Sequence, residues 1–195
     1  MYIGSLFSRH AKYRPNHLAV VFEDQRLTWL EFNQQINRLA NAFIDLGIQK
    51  GDKVATILPN CLELLEVYWA VAKMGAVVVP SSTLLLEPAM KTLLNDSDTV
   101  LLVTNSEFVD KIDSIKSDLP AIAENRYLFT DYAGQNGYRD YHDLKAAARN
   151  DEPQDRDIND EETAIAMARI IKRVDLLKML YLLTVADSMA TGPKA

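Results

Sequence analysis

The stretch from Leu27 to Pro80 constrains the fold of this chain more than any other, because helical and strand patterns alternate along it with a start or stop signal at each junction. Thr28 and Glu31 form a capping box, in which the hydroxyl accepts a bond from an amide of the first helical turn and the carboxylate reaches back. Gly47 supplies the left-handed residue that commonly ends a helix. The apolar residues between these signals recur at steps of four and three, which places them on one helix face: Phe32, Ile36, Leu39, Phe43 and Leu46.

Two strand patterns follow this helix. Residues 54–58 form a short run with a share of β-branched residues, which is too short for a globular helix and suits a buried strand. Asn60, with Glu63 three residues later, predicts the N-cap of a second helix, which Gly75 ends. Residues 76–79 are apolar and rich in valine, as in a strand covered on both faces by helices. Two strands joined through a helix predict a right-handed crossover and a parallel sheet.

The same alternation continues through the rest of the first 149 residues. Before the central stretch, the patterns predict a helix within 3–14 and a hairpin of Leu18–Phe22 and Arg26–Thr28. After it, they predict a helix with Pro88 near its first turn that ends by Asn95, and then a strand at 99–104. A helix over 105–120, a strand at 127–130 and a short helix at 141–149 follow. Strands that alternate with helices are typical of an α/β layer with a parallel sheet.

The composition changes at Arg149. Seven of the fourteen residues in 149–162 are acidic, which predicts a solvated linker. From residue 163 the sequence predicts one long helix, ended by Gly192 and Pro193, with apolar residues around most of its circumference. We therefore divide the chain into an α/β subdomain at 1–148, an acidic linker at 149–162 and a helical tail at 163–195.

Charge and residue usage exclude several classes of protein. The net charge is −6 and no Lys/Arg cluster occurs, so we expect no nucleic-acid partner. The single Cys61 excludes an internal disulfide framework; the helix start could lower its thiol pKa, but a plain half-buried cysteine is the simpler interpretation. The N-terminus lacks a signal-like apolar run, and no stretch is long enough to span a membrane, so we predict a cytoplasmic protein.

Several elements of this scaffold resemble the adenylate-forming superfamily, in particular bacterial acyl-CoA synthetases (AMP-dependent synthetases and ligases). The residues that carry the resemblance are LTWLEF at 27–32, GDKVA at 51–55, LPN at 58–60, AKMGAVVVP at 72–80 and LLNDS at 93–97. The resemblance covers about Tyr2 to Asp160. It implies a truncated N-terminal α/β subdomain of the adenylate-forming fold with an added C-terminal α-helix. For the full-length family it implies ATP-dependent adenylation of a carboxylic acid and transfer of the acyl group to CoA, with Mg²⁺.

The chemistry of that family depends on a part that this sequence lacks. A loop of the form YSSGTTGxPKG, after an acidic approach similar to residues 155–160, holds the phosphates of ATP in such enzymes. Here the apolar helical pattern begins after Glu162 instead. The segment ATGPKA at 190–195 is superficially similar to the loop, but it lacks two glycines and follows a helix. We therefore assign no catalytic and no cofactor-binding residue, and predict that these residues alone are inactive.

The tail has a resemblance of its own. Residues 182–187 (LLTVAD) and 190–194 (ATGPK) are similar to the last helix of the HD-type phosphohydrolase region of bacterial PII uridylyltransferases. This resemblance implies that Asp187 is a metal ligand. One carboxylate does not make a metal site, however, and a polar residue near a helix end is the alternative interpretation. As an alternative function, the apolar tail predicts a non-catalytic scaffold that associates with partners or with itself through 163–187.

Overall fold

Helices and strands alternate along the computed structural model, which describes residues 3–131 and 137–153. The helices are α1 (Ser5–Tyr13), α2 (Trp29–Asp45), α3 (Leu62–Met74), α4 (Glu87–Asp96), α5 (Val109–Ile115) and α6 (Tyr141–Ala147). The strands are β1 (Leu18–Phe22), β2 (Gln25–Thr28), β3 (Lys53–Ile57), β4 (Val77–Pro80), β5 (Thr99–Thr104), β6 (Tyr127–Phe129) and β7 (Arg139–Asp140). The predicted α/β class is confirmed, and only the two-residue β7 had no sequence signal.

Helix α2 begins and ends as its sequence predicts. The Thr28 hydroxyl accepts a hydrogen bond from the Glu31 amide at 3.3 Å, and the Glu31 carboxylate accepts one from the Thr28 amide at 2.9 Å. Gly47 has a φ of +80°, a conformation that a side chain would strain. The predicted apolar face is buried, since Phe32, Ile36, Leu39 and Phe43 all lie in the core.

A five-stranded parallel sheet, in the order β4-β3-β5-β6-β7, forms the centre of the fold. Successive residues of a strand point to opposite faces. Val54 accordingly joins a core cluster with residues of α2, α3 and α6, whereas Ala55 and Ile57 join a second cluster with residues of α4 and α5. Helices therefore cover both faces, as in a doubly wound sheet. The separate β1–β2 hairpin is antiparallel and leads directly into α2.

Two sequence predictions for the βαβ unit are corrected. The N-cap of α3 is Cys61, whose sulfur accepts a hydrogen bond from the Leu64 amide at 3.4 Å, and not Asn60. The extended backbone of Cys61 brings its own side chain over the free amides of the first turn, and Asn60 lies one residue too early. Strand β4 is an edge strand among the described residues and is covered only in part, because Val78 and Val79 pack against the core clusters on opposite faces whereas Val77 is 47% exposed.

Within the described ranges, no helix has the length and apolar character needed to cross a membrane. The predicted tail helix, Asp187 and most of the acidic segment lie outside these ranges, so the added C-terminal helix and the domain boundaries stay predictions.

Candidate functional site

A row of asparagines lies buried along α2. Asn33, Asn37 and Asn41 are four residues apart, which stacks them on one side of the helix, and they are 6%, 3% and 0% exposed. A buried amide needs partners, because leaving one unpaired costs about 1–3 kcal/mol. Those partners come from α3 and from the segment that follows α6.

The asparagine row holds residues 149–151 by their backbone. The Asn41 side-chain amide donates to the carbonyl oxygens of Arg149 at 3.1 Å and Asp151 at 2.9 Å. The Asn37 amide donates to the carbonyl oxygen of Asn150 at 3.3 Å. These residues begin the segment that the composition predicts to be a solvated linker, and nothing in that composition indicates the contact.

A buried lysine lies beside this row. Lys73 stands in the last turn of α3, and its side chain is 1% exposed. Its Nζ shares its three protons among four oxygen atoms within hydrogen-bond distance: Asn37 Oδ1 at 2.5 Å, Glu152 Oε2 at 2.6 Å, Asn33 Oδ1 at 2.7 Å and Ser8 Oγ at 3.2 Å. Burial lowers the pKa of Lys73, while the Glu152 carboxylate beside it acts in the opposite direction. A buried ammonium group is tolerated only with such partners.

Glu152 completes the cluster from the solvent side, with a side chain that is 49% exposed. Its Oε1 accepts hydrogen bonds from Asn33 Nδ2 at 2.8 Å and Asn37 Nδ2 at 3.2 Å. Its Oε2 accepts them from Lys73 Nζ at 2.6 Å and Ser8 Oγ at 2.8 Å. Burial alone would raise the pKa of Glu152, but the bonds from Asn33, Lys73 and Ser8 outweigh burial and lower it. The carboxylate is therefore ionised at neutral pH.

A second buried ion pair fixes α6 on α3. Glu66, with a side chain 1% exposed, accepts hydrogen bonds at its Oε2 from the Tyr141 hydroxyl at 2.6 Å and from Lys145 Nζ at 2.7 Å. Burial and the Glu66 charge raise the pKa of Tyr141 well above its ordinary value, so this hydroxyl stays protonated and donates. Because α6 immediately precedes residues 149–152, this pair brings the segment to the asparagine row.

The carboxyl edge of the sheet is the second region to which the fold brings polar groups. The connections after β3 and β5 leave toward opposite sides there, which is where ligands usually bind in open α/β sheets. Ser106 donates from its amide at 2.7 Å and its hydroxyl at 2.6 Å to the Asp131 carboxylate, and the Thr104 hydroxyl donates to the Ile57 carbonyl at 3.0 Å. These hydrogen bonds join residues of the sheet edge to one another. Among the residues that the structure describes, no three His, Cys, Asp or Glu side chains are grouped to hold a metal ion.

The residues that the sequence offers for chemistry do not form a reactive site in the described part of the chain. Cys61 is half-buried, and burial raises the pKa of its thiol to about 11, which favours the interpretation as a plain half-buried cysteine. His10 stacks on the indole of Trp29 with ring centroids 4.4 Å apart. Asp187 lies outside the described residues, and its role as a metal ligand stays a prediction.

The identity of the chain follows from comparison with known proteins. A family model described as "AMP-binding enzyme" matches residues 7–168. The chain belongs to this family. Among curated relatives, the crotonobetaine/carnitine–CoA ligase of Escherichia coli O1:K1 / APEC is 43% identical over 93 residues, which are 48% of this chain and 18% of that ligase. The chain thus matches less than a fifth of the length of such a ligase.

Solved structures also support the assignment of this chain to the AMP-binding family. The N-terminal domain of FACL13 from Mycobacterium tuberculosis is 29% identical, with a TM-score of 0.68 over 80% of this chain and 38% of that chain. The Mycobacterium tuberculosis fatty acyl CoA synthetase is 30% identical, with a TM-score of 0.67 over 78% of this chain and 30% of that chain. The anthranilate CoA ligase AuaEII, in complex with anthranoyl-AMP, is 24% identical with a TM-score of 0.72 over 77% of this chain and 29% of that chain, which shows the fold alone. The predicted resemblance to the N-terminal part of acyl-CoA synthetases is confirmed, whereas the PII uridylyltransferase resemblance of the tail stays a prediction.

Sequence reasoning missed the cluster around Lys73. The one available signal was the four-residue spacing of Asn33, Asn37 and Asn41 beside the apolar stripe of α2, which indicates a polar row. That spacing does not tell which residues contact the row. Lys73 lies 40 residues from Asn33 and 79 from Glu152, so the contact becomes visible only in the fold.

Proposed function

We propose that this chain is the N-terminal scaffold of an AMP-forming acyl-CoA synthetase, and that the 195 residues by themselves catalyse no step of its reaction. The reaction of the whole enzyme would be ATP-dependent activation of a carboxylic acid as its acyl adenylate, then transfer of the acyl group to CoA. The observation that carries the proposal is the family match over residues 7–168, and the chain's likeness to CoA ligases supports it.

The proposed inactivity rests on the sequence after the acidic segment. In the family, backbone amides of a glycine-rich loop hold the phosphates of ATP. The chain has seven glycines, and none falls in the spacing of that loop, while Thr163 begins an apolar helical pattern where the resemblance leads one to expect the loop. We therefore assign none of the described residues to ATP, Mg²⁺ or CoA.

The proposed role of the described residues is to support the fold and to position the beginning of the acidic segment. The parallel sheet carries α2, α3 and α6 on one face, and these helices hold residues 149–152, the beginning of the acidic segment, in place. A carboxylic acid is the substrate class that the family implies. The acyl group itself is not assigned.

Isotope exchange between ATP and pyrophosphate tests this proposal, because adenylation is reversible and exchange reports it without CoA. The 195-residue chain is assayed with Mg²⁺ and a panel of fatty acids, aryl acids, crotonobetaine and carnitine, and the E. coli ligase serves as the positive control. We expect exchange no faster than a buffer blank. Exchange that depends on one of the acids would contradict the proposed inactivity.

A non-catalytic scaffold that self-associates through 163–187 is the alternative function. Those residues lie outside the described ranges, so this alternative rests on the sequence pattern alone.

A further inference from the structure

We propose that Lys73, Asn33, Asn37 and Ser8 form a carboxylate-binding pocket, which Glu152 of the same chain occupies, and that this pocket fixes the beginning of the acidic segment, residues 149–152, on the α/β layer. We call these four residues the Lys73 pocket. The inference rests on contacts among described residues and does not depend on the proposed catalytic family role.

The Lys73 pocket is built by three helices before the carboxylate is considered. Ser8 comes from α1, Asn33 and Asn37 from α2, and Lys73 from α3. Lys73 Nζ bonds to the Oδ1 atoms of both asparagines, at 2.7 and 2.5 Å. Since Oδ1 of each amide accepts from the ammonium, each Nδ2 is turned away from it and toward Glu152. The pocket thus presents donors only, around one positive charge.

A carboxylate is the ligand that satisfies these donors. Each of its two oxygens receives two hydrogen bonds in the structure, one oxygen from the two asparagine amides and the other from Lys73 and Ser8. Hydrogen bonds in which a partner is ionised are roughly twice as strong as neutral ones. A neutral acceptor would leave the 1% exposed ammonium without a counter-charge, which is costly in a buried site.

Glu152 reaches the Lys73 pocket because the backbone of the three residues before it is held on the row of asparagines. Asn41 and Asn37 bind the carbonyl oxygens of Arg149, Asp151 and Asn150, just ahead of Glu152. The beginning of the acidic segment, residues 149–152, is therefore fixed on the α/β layer.

Nuclear magnetic resonance of the full ¹⁵N-labelled chain tests the pocket with a free carboxylate. Glu152→Ala empties it, and sodium formate is then titrated against sodium chloride of equal ionic strength while the side-chain amide signals of Asn33 and Asn37 are followed. We expect a saturable shift of both signals with formate in Glu152→Ala, and none in the wild-type chain, where Glu152 occupies the pocket. The double variant Glu152→Ala/Lys73→Met, which lacks the cation, is expected not to respond.

Three results would overturn the proposal: no saturable formate shift in Glu152→Ala, the same shift with chloride, or the same shift in the double variant.

A second measurement on the conservative variant Glu152→Gln guards against loss of folding. An amine-specific acetylating reagent is applied to the native chain, and the modification rates of Lys73 and the more exposed Lys91 are compared by mass spectrometry. We expect Glu152→Gln to raise the rate at Lys73 at least about tenfold, as for loss of one charge-assisted bond, with Lys91 unchanged. An unchanged rate at Lys73 would contradict the proposal.

Discussion

Two lysine–carboxylate pairs in this structure differ mainly in their burial. The Lys73 side chain is 1% exposed and bonds to four oxygen atoms, whereas the Lys91 side chain, paired with Asp118 at 3.1 Å, is 43% exposed. Exposed ion pairs contribute little to stability, because water stabilises the two charges nearly as well as the charges stabilise each other. Removal of the buried cation instead strands the amide oxygens of Asn33 and Asn37 in the interior.

Lys73→Met is therefore expected to lower the free energy of unfolding by about 1–3 kcal/mol, the cost of buried groups that lose a charged partner. Glu152 is half-exposed, so water can solvate its carboxylate in the Lys73→Met variant. The loss of stability is therefore smaller than that caused by a fully buried charge without a partner. The matched control Lys91→Met should change stability by no more than about 0.5 kcal/mol. Urea unfolding of the three proteins measures both values, and equal effects of the two substitutions would contradict the assigned role of Lys73.

The same cluster predicts how stability depends on pH. The folded-state pKa of Glu152 is lowered from its ordinary value of 4.5, so its contribution is present above that value and lost as the pH falls through the lower folded-state pKa. Glu152→Gln cannot titrate. We expect the stability difference between wild type and Glu152→Gln to be largest near neutral pH and to shrink below pH 4.5. Thermal unfolding over a pH series measures it, and a difference that grows on acidification would contradict the assignment.

At the scale of single elements, α2 carries most of the organisation. Its apolar face packs on the sheet, and its asparagine row holds residues 149–152. Its capping box fixes the residue at which the helix, and with it the apolar face and the asparagine row, begins. Thr28→Ala removes the hydroxyl that caps the helix and is expected to cost about 0.5–2 kcal/mol. Thr92→Ala, on the exposed side of α4, is the control and should be neutral or slightly stabilising, since alanine has the higher helix propensity. Urea unfolding compares the two variants, and a larger loss from Thr92→Ala would contradict the assignment of the cap.

The elements that the sequence predicted well are those specified by neighbouring residues. The Thr28 cap, the Gly47 and Gly75 helix ends and the apolar stripe of α2 depend on residues within a turn or two of one another. The N-cap of α3 was misplaced by one residue, because cysteine is not a common capping residue and Asn60 next to it is.

The features that the sequence did not reveal depend on contacts between distant parts of the chain. Acidic composition predicted a solvated segment after Arg149, yet the Glu152 carboxylate lies on a lysine 79 residues away. The exposure of Val77 on edge strand β4 is likewise a property of strand order, and the local apolar run of 76–79 carries no information about that order.

On the scale of the whole molecule, the sequence has a change of character near residue 160. The AMP-binding family match continues to residue 168, whereas the apolar helical pattern begins at Thr163. The genomic reading frame around codon 160 is the observation that decides whether the two parts are joined in the gene.

The alternative function makes its own prediction at this scale. If the tail associates with itself through 163–187, the 195-residue chain should be larger than a monomer by size-exclusion chromatography with light scattering. Residues 1–160 alone should then be a monomer. If both proteins are monomers, self-association through the tail is excluded.

The central claim is that residues 1–160 form a working N-terminal scaffold and lack the parts that catalyse. Its most direct test is ATP–pyrophosphate exchange by a chimera, in which residues 1–160 precede the portion of the E. coli crotonobetaine/carnitine–CoA ligase that follows its corresponding N-terminal region. The ligase portion alone and the 195-residue chain are the controls. We predict exchange that depends on crotonobetaine or carnitine for the chimera, and exchange at the level of the buffer blank for both controls. A folded chimera without exchange, or exchange by the 195-residue chain alone, would contradict the claim.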